Sequence, residues 1–395
     1  MSENIYEKWD VSTVINAVGY ATRVGGSAPA DDVLEAMRQA QHSFIEIDDL
    51  QKAAARCIAK HTGAESGIVT CGAGAALTLA AAACLAGNNP DIMEALPDIT
   101  TSKKKNIIYP RPHQFDYDHP IRVSGAKVLF IDHDEPDALS KIENAINEQT
   151  AAIGYVWKRM NQKPSVREVA DLAHRHDLPL ILDAALSLPP TEHLQQFISE
   201  GADLVAISGG KHLGGPQASG MLFGKEDLIR SAWVQMVDMD VRAATWSLRD
   251  WIEEGWISRP PRHGIGRSMK ISKEASIGVL TALENYPKRD HAAELNRWKK
   301  RVNDLAAAMS DIKELDIKVL FPAPNGQPFP VLRVRRASGL AKVLLQLKQR
   351  RPKIIVAEDE SDPEVVYLFP MQLRDAEIPM IVEGFKSCFY DGASF

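Results

Sequence analysis

The sequence predicts an α/β protein, with a large domain on a mostly parallel sheet and a smaller α+β C-terminal domain. Three observations predict it. Between residues 66 and 223, short apolar runs alternate with stretches of helical periodicity. The runs lack the apolar–polar alternation of a half-exposed strand, as expected of strands covered on both faces. Beyond about residue 270 the texture changes to two long helices followed by several short strands.

The expected strands of the large domain are Gly67–Thr70, Asn106–Tyr109, Lys127–Asp132, Ala151–Trp157, Leu180–Asp183, Leu204–Ser208 and Met221–Phe223. Helices are expected at Asp137–Asn147, Ser165–His176 and Thr191–Glu200, which suits right-handed crossovers. The uncharged stretch Ser66–Pro90 is longer than the roughly 20 residues of a membrane span. Its many Ala and Gly and few large apolar side chains read instead as a buried helix after a tight turn. The connection Pro260–Gly266 precedes helices at Ser272–Tyr286 and His291–Met309. Strands follow at Lys318–Phe321, Val331–Arg335, Ile354–Glu358 and Val365–Phe369, with a helix near Ser338–Lys348. The organisation expected is an N-terminal segment (1–45) packing with the small domain, a large domain (46–268) and a small domain (269–395).

Composition excludes several classes. A net charge of −6 argues against non-specific nucleic-acid binding, which rests on basic side chains neutralising phosphates. The start of the chain has neither the basic nor the apolar region of a secretory signal, so a cytoplasmic protein is expected. The four cysteines are scattered without a CxxC pair. That argues against a structural metal site or a disulfide framework, and fits a reducing compartment.

Chemistry concentrates at strand ends. Ser208-Gly-Gly-Lys211 follows an apolar strand directly, and ligands bind beyond the carboxyl ends of strands in such sheets. The glycines let the backbone approach a ligand, and Ser208 can offer its hydroxyl to a phosphate. A surface lysine in a Gly-rich turn is the plainer alternative. Asp183 closes the strand Leu180–Asp183, and its separation from Lys211 leaves room for one helix and one strand. Both side chains can then sit at one sheet edge. Pyridoxal 5′-phosphate (PLP) needs this pair: a carboxylate keeps the ring nitrogen protonated, and a lysine forms the Schiff base and then serves as a base. Asp183 could also be a helix cap.

Thr70-Cys-Gly-Ala-Gly-Ala-Ala76 is a strand, a turn and an Ala-rich helix, whose Gly72, Ala73 and Gly74 would present amides to a phosphate. The turn matches neither the dinucleotide nor the nucleoside-triphosphate fingerprint. His113 lies past the strand Asn106–Tyr109, where an imidazole can stack on a pyridine ring; a structural histidine near Asp118 and His119 is its rival.

Together these stretches resemble fold type I PLP-dependent enzymes, the aspartate aminotransferase superfamily. The resemblance is nearest to the selenocysteine-synthase-like branch, relatives of L-seryl-tRNA(Sec) selenium transferase, and within it to the D-glucosaminate-6-phosphate ammonia-lyases. It is carried by Ile15–Gly19, Thr22–Ser27, Ile47–Gln51, Thr62–Glu65, Thr70–Gly87, Tyr117–His119, Leu182–Ala185, Gly201–Leu204, Ser208–Lys211, Gly215–Gln217 and Ile265–Arg267. The resemblance implies Lys211 for the Schiff base, Asp183 for the ring nitrogen, His113 for stacking, and Gly72, Ala73 and Ser208 for the phosphate. Tyr20 stands where a small residue is expected and Gly214 where a basic one is common, and both departures bear on the substrate. The match begins near Val14, so no preceding RNA-binding region is expected.

The function expected is a PLP-dependent lyase that removes ammonia from an amino acid or amino-sugar acid with a β-hydroxyl, such as D-glucosaminate 6-phosphate, to give a 2-keto acid. A racemase, a selenium or other transferase, and a non-catalytic relative are the rivals. Lys211 or its neighbour His212 would supply the general acid. Arg23 and Arg267 would meet an anionic substrate in a cleft between lobes, with Arg111 and Arg159 as weaker candidates and surface ion pairs as the alternative. No metal, nucleic acid or membrane is expected. The resemblance implies a homodimer or a higher assembly, with the stretch Trp233–Trp256 as a candidate surface.

Overall fold

The computed structural model describes residues 4–132, 135–158 and 162–390. They form two compact units, one of residues 29–288 and one that joins the chain up to Ala28 to the chain from Arg289 onward. These bounds differ from 45/46 and 268/269, the ones expected from sequence. Helices Asp31–Gln41 and Lys273–Asn285 account for the difference, because they pack on each other within the larger unit.

The larger unit holds a seven-stranded sheet. Its spatial order is Ser66–Thr70, Gly220–Gly224, Leu204–Ser208, Leu180–Asp183, Thr150–Val156, Asn106–Pro110 and Lys127–Ile131. All neighbours run parallel except Gly220–Gly224, which is antiparallel to both strands beside it. The short loop that joins Ser208 to Gly220 explains the reversal, since a parallel return takes a longer crossover connection.

Alternate strand residues feed two cores. Val69, Ile108, Ile153, Leu182, Val205 and Phe223 enter one, with helices Ile47–Thr62, Val166–Arg175, His193–Ser199 and Lys273–Asn285. Ile68, Ile107, Ala152, Ile181, Ala206 and Leu222 enter the other. There the helix Ala73–Ala86 is buried almost all round, which its alanines allow by letting the backbone approach the sheet closely. The helix Val166–Arg175 starts with a capping box, Ser165 Oγ accepting from Glu168 N–H while the Glu168 carboxylate accepts from Ser165 N–H. No helix among the described residues is long and apolar enough to cross a membrane.

The smaller unit has a five-stranded sheet in the order Val14–Ala17, Lys353–Glu358, Val365–Leu368, Val331–Arg336 and Leu315–Leu320. The N-terminal strand pairs parallel to Lys353–Glu358, and the remaining pairings are antiparallel. Helices His291–Met309, Leu340–Gln349 and Ile378–Tyr390 cover it over a core that includes Val302, Leu332, Val366 and Phe385.

Ala81 is completely buried in the helix beneath the large sheet. Ala81→Leu forces extra volume into a close-packed layer, so we expect it to lower stability by about 1–3 kcal/mol. Chemical denaturation checks this; an unchanged midpoint would show that the layer has room to spare.

Candidate active site

Three turns meet the carboxyl edge of the large sheet, and strand register fixes their levels. Gly220 pairs with Thr70 on one side and with Ser208 on the other. Asp183 pairs with Ala206 and with Val156. The segments that follow Thr70, Ser208 and Asp183 therefore leave the sheet at neighbouring positions.

The turn after Thr70 has the features of an anion cradle. Gly72 caps the helix Ala73–Ala86 at φ +148°, a conformation L side chains rarely adopt, and no side chain caps the first-turn amides. Thr70 Oγ1 donates to the Gly72 carbonyl at 2.9 Å. A Cβ on Gly220 would lie 2.6 Å from the Gly72 carbonyl carbon and 2.8 Å from the Ala73 nitrogen. The bare backbone at Gly220 is thus what lets this turn lie against the sheet edge. Ser208, half-buried across the same strand, makes no side-chain hydrogen bond among the described residues.

Asp183 is buried at the end of its strand. Ala185 N–H donates to its Oδ1 at 3.0 Å, and Oδ2 has no hydrogen-bond partner among the described residues. Burial raises its pKa, while the Ala185 bond and the Lys211 charge oppose the rise. Lys211 keeps part of its surface open, yet loss of hydration lowers its pKa, and the Asp183 charge opposes that shift in turn. The two are close enough to act on each other, and the Lys211 amine makes no hydrogen bond or ion pair among the described residues.

His113 is buried. Val156 N–H donates to its Nδ1 at 3.2 Å, and the Gln162 side-chain amide lies 3.4 Å from its Nε2. Its ring meets Tyr155 edge-on at 4.2 Å. His113 is thus tied to the residue paired with Asp183.

Other expected residues are placed differently. His212 is buried, and its Nδ1 shares a 2.7 Å hydrogen bond with the Tyr286 hydroxyl, just past helix Lys273–Asn285. Arg267 pairs with Asp238 at 2.6 Å. It lines a cleft of about 790 Å³ with Phe44, Asp48, Trp233, Met236 and Lys270. Arg23 lies in the smaller unit and donates to the Val356 carbonyl at 3.3 Å. Arg111 forms an exposed ion pair with Asp132 at 2.9 Å, and Arg159 lies outside the described residues. Trp233 and Trp246 are buried; Trp251 contacts Trp233 and Trp256 edge-on, with the Arg230 guanidinium over its ring.

Two contributors were missed in the sequence. Gln51 is buried and makes both hydrogen bonds of the Val69 backbone at 3.0 Å, pinning its helix to the strand that enters the cradle. His193 Nδ1 bonds the Ser187 carbonyl at 2.7 Å and its ring meets Trp157 edge-on, bracing the segment after Asp183. Gln51 had a signal, a polar residue on the same helix face as Ala54 and Ile58.

Comparison with known proteins bears on the family and the fold. Residues 30–275 match the DegT/DnrJ/EryC1/StrS aminotransferase family. D-glucosaminate-6-phosphate ammonia lyase of Salmonella typhimurium is 30% identical over 80% of this chain and 78% of its own. 5′-C-glycyluridine monooxygenase-decarboxylase of a Streptomyces species is 28% identical over 91% and 88%. L-seryl-tRNA(Sec) selenium transferase of Actinobacillus pleuropneumoniae is 33% identical over 39% of this chain and 37% of its own. A solved structure of D-glucosaminate-6-phosphate ammonia-lyase superposes with a TM-score of 0.79 at 27% identity over 98% of both chains. The chain therefore belongs to the DegT/DnrJ/EryC1/StrS aminotransferase family, and is a fold type I, PLP-dependent enzyme similar to the selenocysteine-synthase-like branch.

Proposed function

We propose that this enzyme is a cytoplasmic lyase that removes ammonia from a small amino acid or amino-sugar acid with a β-hydroxyl, D-glucosaminate 6-phosphate among the candidates. One observation carries the reading: a buried carboxylate with an unused oxygen faces the field of a desolvated, unpaired lysine, in a chain 30% identical to an ammonia lyase.

The residues present fit PLP. The amides at Ala73 and Gly74, beside Gly72, and the Ser208 hydroxyl suit its phosphate. Asp183 Oδ2 is an acceptor in want of an N–H donor, and Lys211 is an amine whose lost hydration favours its neutral, nucleophilic form. His113 would flank the ring. When bound, PLP supplies an electron sink for charge developing at the substrate α-carbon.

The chain's own groups then move protons. The Lys211 amine takes the α-proton and, as an ammonium, returns it to the β-hydroxyl, which leaves as water. Hydrolysis consumes one water and releases ammonia, so the net products are a 2-keto acid and ammonium. The Tyr286 bond turns His212 toward packing, which makes Lys211 the simpler general acid and His212 a positioning residue. Arg267 offers a planar fork to a substrate anion if the anion displaces Asp238, and Arg23 is the second candidate. A homodimer or a higher assembly is part of the proposal. Phe44, Ile45, Ile47 and Val241 stand exposed around the cleft, where a second copy would cover them.

Asp183→Asn should keep its fold and some PLP but lose turnover on the order of 100-fold, because an amide cannot hold the ring nitrogen protonated. Steady-state kinetics that stay near wild type would show that another group serves the ring. The reaction itself is tested by incubating the PLP-loaded enzyme with β-hydroxy amino acids and D-glucosaminate 6-phosphate. Equal amounts of 2-keto acid and ammonia are expected. Exchange of the α-proton without either product would make it a racemase, and consumption only with an added nucleophile would make it a transferase.

A further inference from the structure

A second group of chemically reactive side chains lies in the larger unit, apart from the residues assigned to PLP. Cys57 and His61 are one helical turn apart on the helix Ile47–Thr62, so they share one face. Glu284 projects from helix Lys273–Asn285, which packs against it. One ligand atom from each of the three lies within 4.8 Å of the others.

We infer that Cys57, His61 and Glu284 form a binding site for a zinc-like divalent cation that clamps these two helices together. The donor set is one thiolate, one imidazole and one carboxylate, the combination that suits a borderline-soft ion such as Zn²⁺. Metal–ligand bonds of roughly 2.0–2.3 Å put donor atoms of a tetrahedral site about 3.5 Å apart. The present separations, up to 4.8 Å, are wider than that, so binding would draw the three side chains together. His61 Nε2, one of the two nitrogens this ring can offer, is buried and has no hydrogen-bond partner among the described residues. Such a nitrogen costs free energy unless something occupies its lone pair or takes its proton.

Cys57 is a free thiol, half-buried, and Glu284 is exposed, so the site opens to solvent on one side. Three protein ligands leave a fourth position for water. Lys60 and Lys288 act on His61 electrostatically and oppose a cation. Against their two positive charges stand the thiolate and the Glu284 carboxylate, which directly contact the ion and so outweigh them. Binding replaces the thiol S–H bond by an S–metal bond, and the proton goes to solvent. The spacing is neither CxxC nor a pair of cysteines, which is why the sequence pattern argued against a metal. The third ligand comes from a helix far along the chain.

The test uses chelator-treated, PLP-loaded enzyme. Zn²⁺ should bind with one equivalent per chain in competition with a chromophoric chelator, and Co²⁺ in its place should give a thiolate-to-metal charge-transfer band. Cys57→Ser and His61→Ala should each weaken binding about tenfold or more, and Cys57→Ser should remove the band. Zn²⁺ should also protect Cys57, and not Cys71, Cys84 or Cys388, from alkylation in the unaltered protein, read by peptide mass mapping. That readout needs no variant to fold. Alkylation of Cys57 at the same rate with and without Zn²⁺, or undiminished affinity in both variants, would overturn the proposal.

Discussion

Loss of hydration sets the terms on which Asp183 and Lys211 coexist. Each is a group whose charged form is penalised at the sheet edge, and each relieves part of the other's loss. The balance stays incomplete, because Asp183 Oδ2 takes no hydrogen bond among the described residues. Oδ2 is not sealed in the core but keeps a little exposure, so its open position can be reached by a ligand. The fold tolerates the incomplete balance because Asp183 is anchored by a rigid strand whose neighbours on both sides are in register. A cofactor that brings an N–H to that oxygen and an aldehyde to that amine relieves both at once, and this is how a desolvation cost becomes binding energy.

The same edge is shaped by one strand of opposite direction. Gly220–Gly224 lies between Ser66–Thr70 and Leu204–Ser208, so Gly220 sits at the level where both neighbours end. The cradle can close over it only because it lacks a side chain. Phosphate contacts and covalent attachment would thereby come from segments far apart in sequence, the turn after Thr70 and the loop that carries Lys211. Gln51 adds a brace from below by occupying both backbone groups of Val69.

Much of this could be read from the chain. The large-domain strands were legible because they are covered on both faces and so appear as unbroken apolar runs. The placement of Asp183 and Lys211 at the sheet edge was legible because each ends or follows such a run, where a polar residue is conspicuous. The helix Ala73–Ala86 was legible from its alanines, with few of the large apolar side chains that a membrane span carries. The strand Val14–Ala17 was missed since so short a run carries too little periodicity, and its partner Lys353–Glu358 lies near the other end of the chain. The affiliation of Lys273–Asn285 was illegible for a similar reason, as an amphipathic helix does not announce which core it faces. Partners of long side chains were the least accessible: the Arg267–Asp238 pair and the His212–Tyr286 bond each depend on tertiary placement.

Covalent mapping asks whether Lys211 is the residue that carries the cofactor. The PLP-loaded enzyme is reduced with borohydride, digested, and its peptides are weighed. One phosphopyridoxyl group per chain is expected on the peptide that contains Lys211, and none after Lys211→Ala. The label on another lysine, such as Lys158 or Lys270, or retained undiminished in the variant, would contradict that assignment.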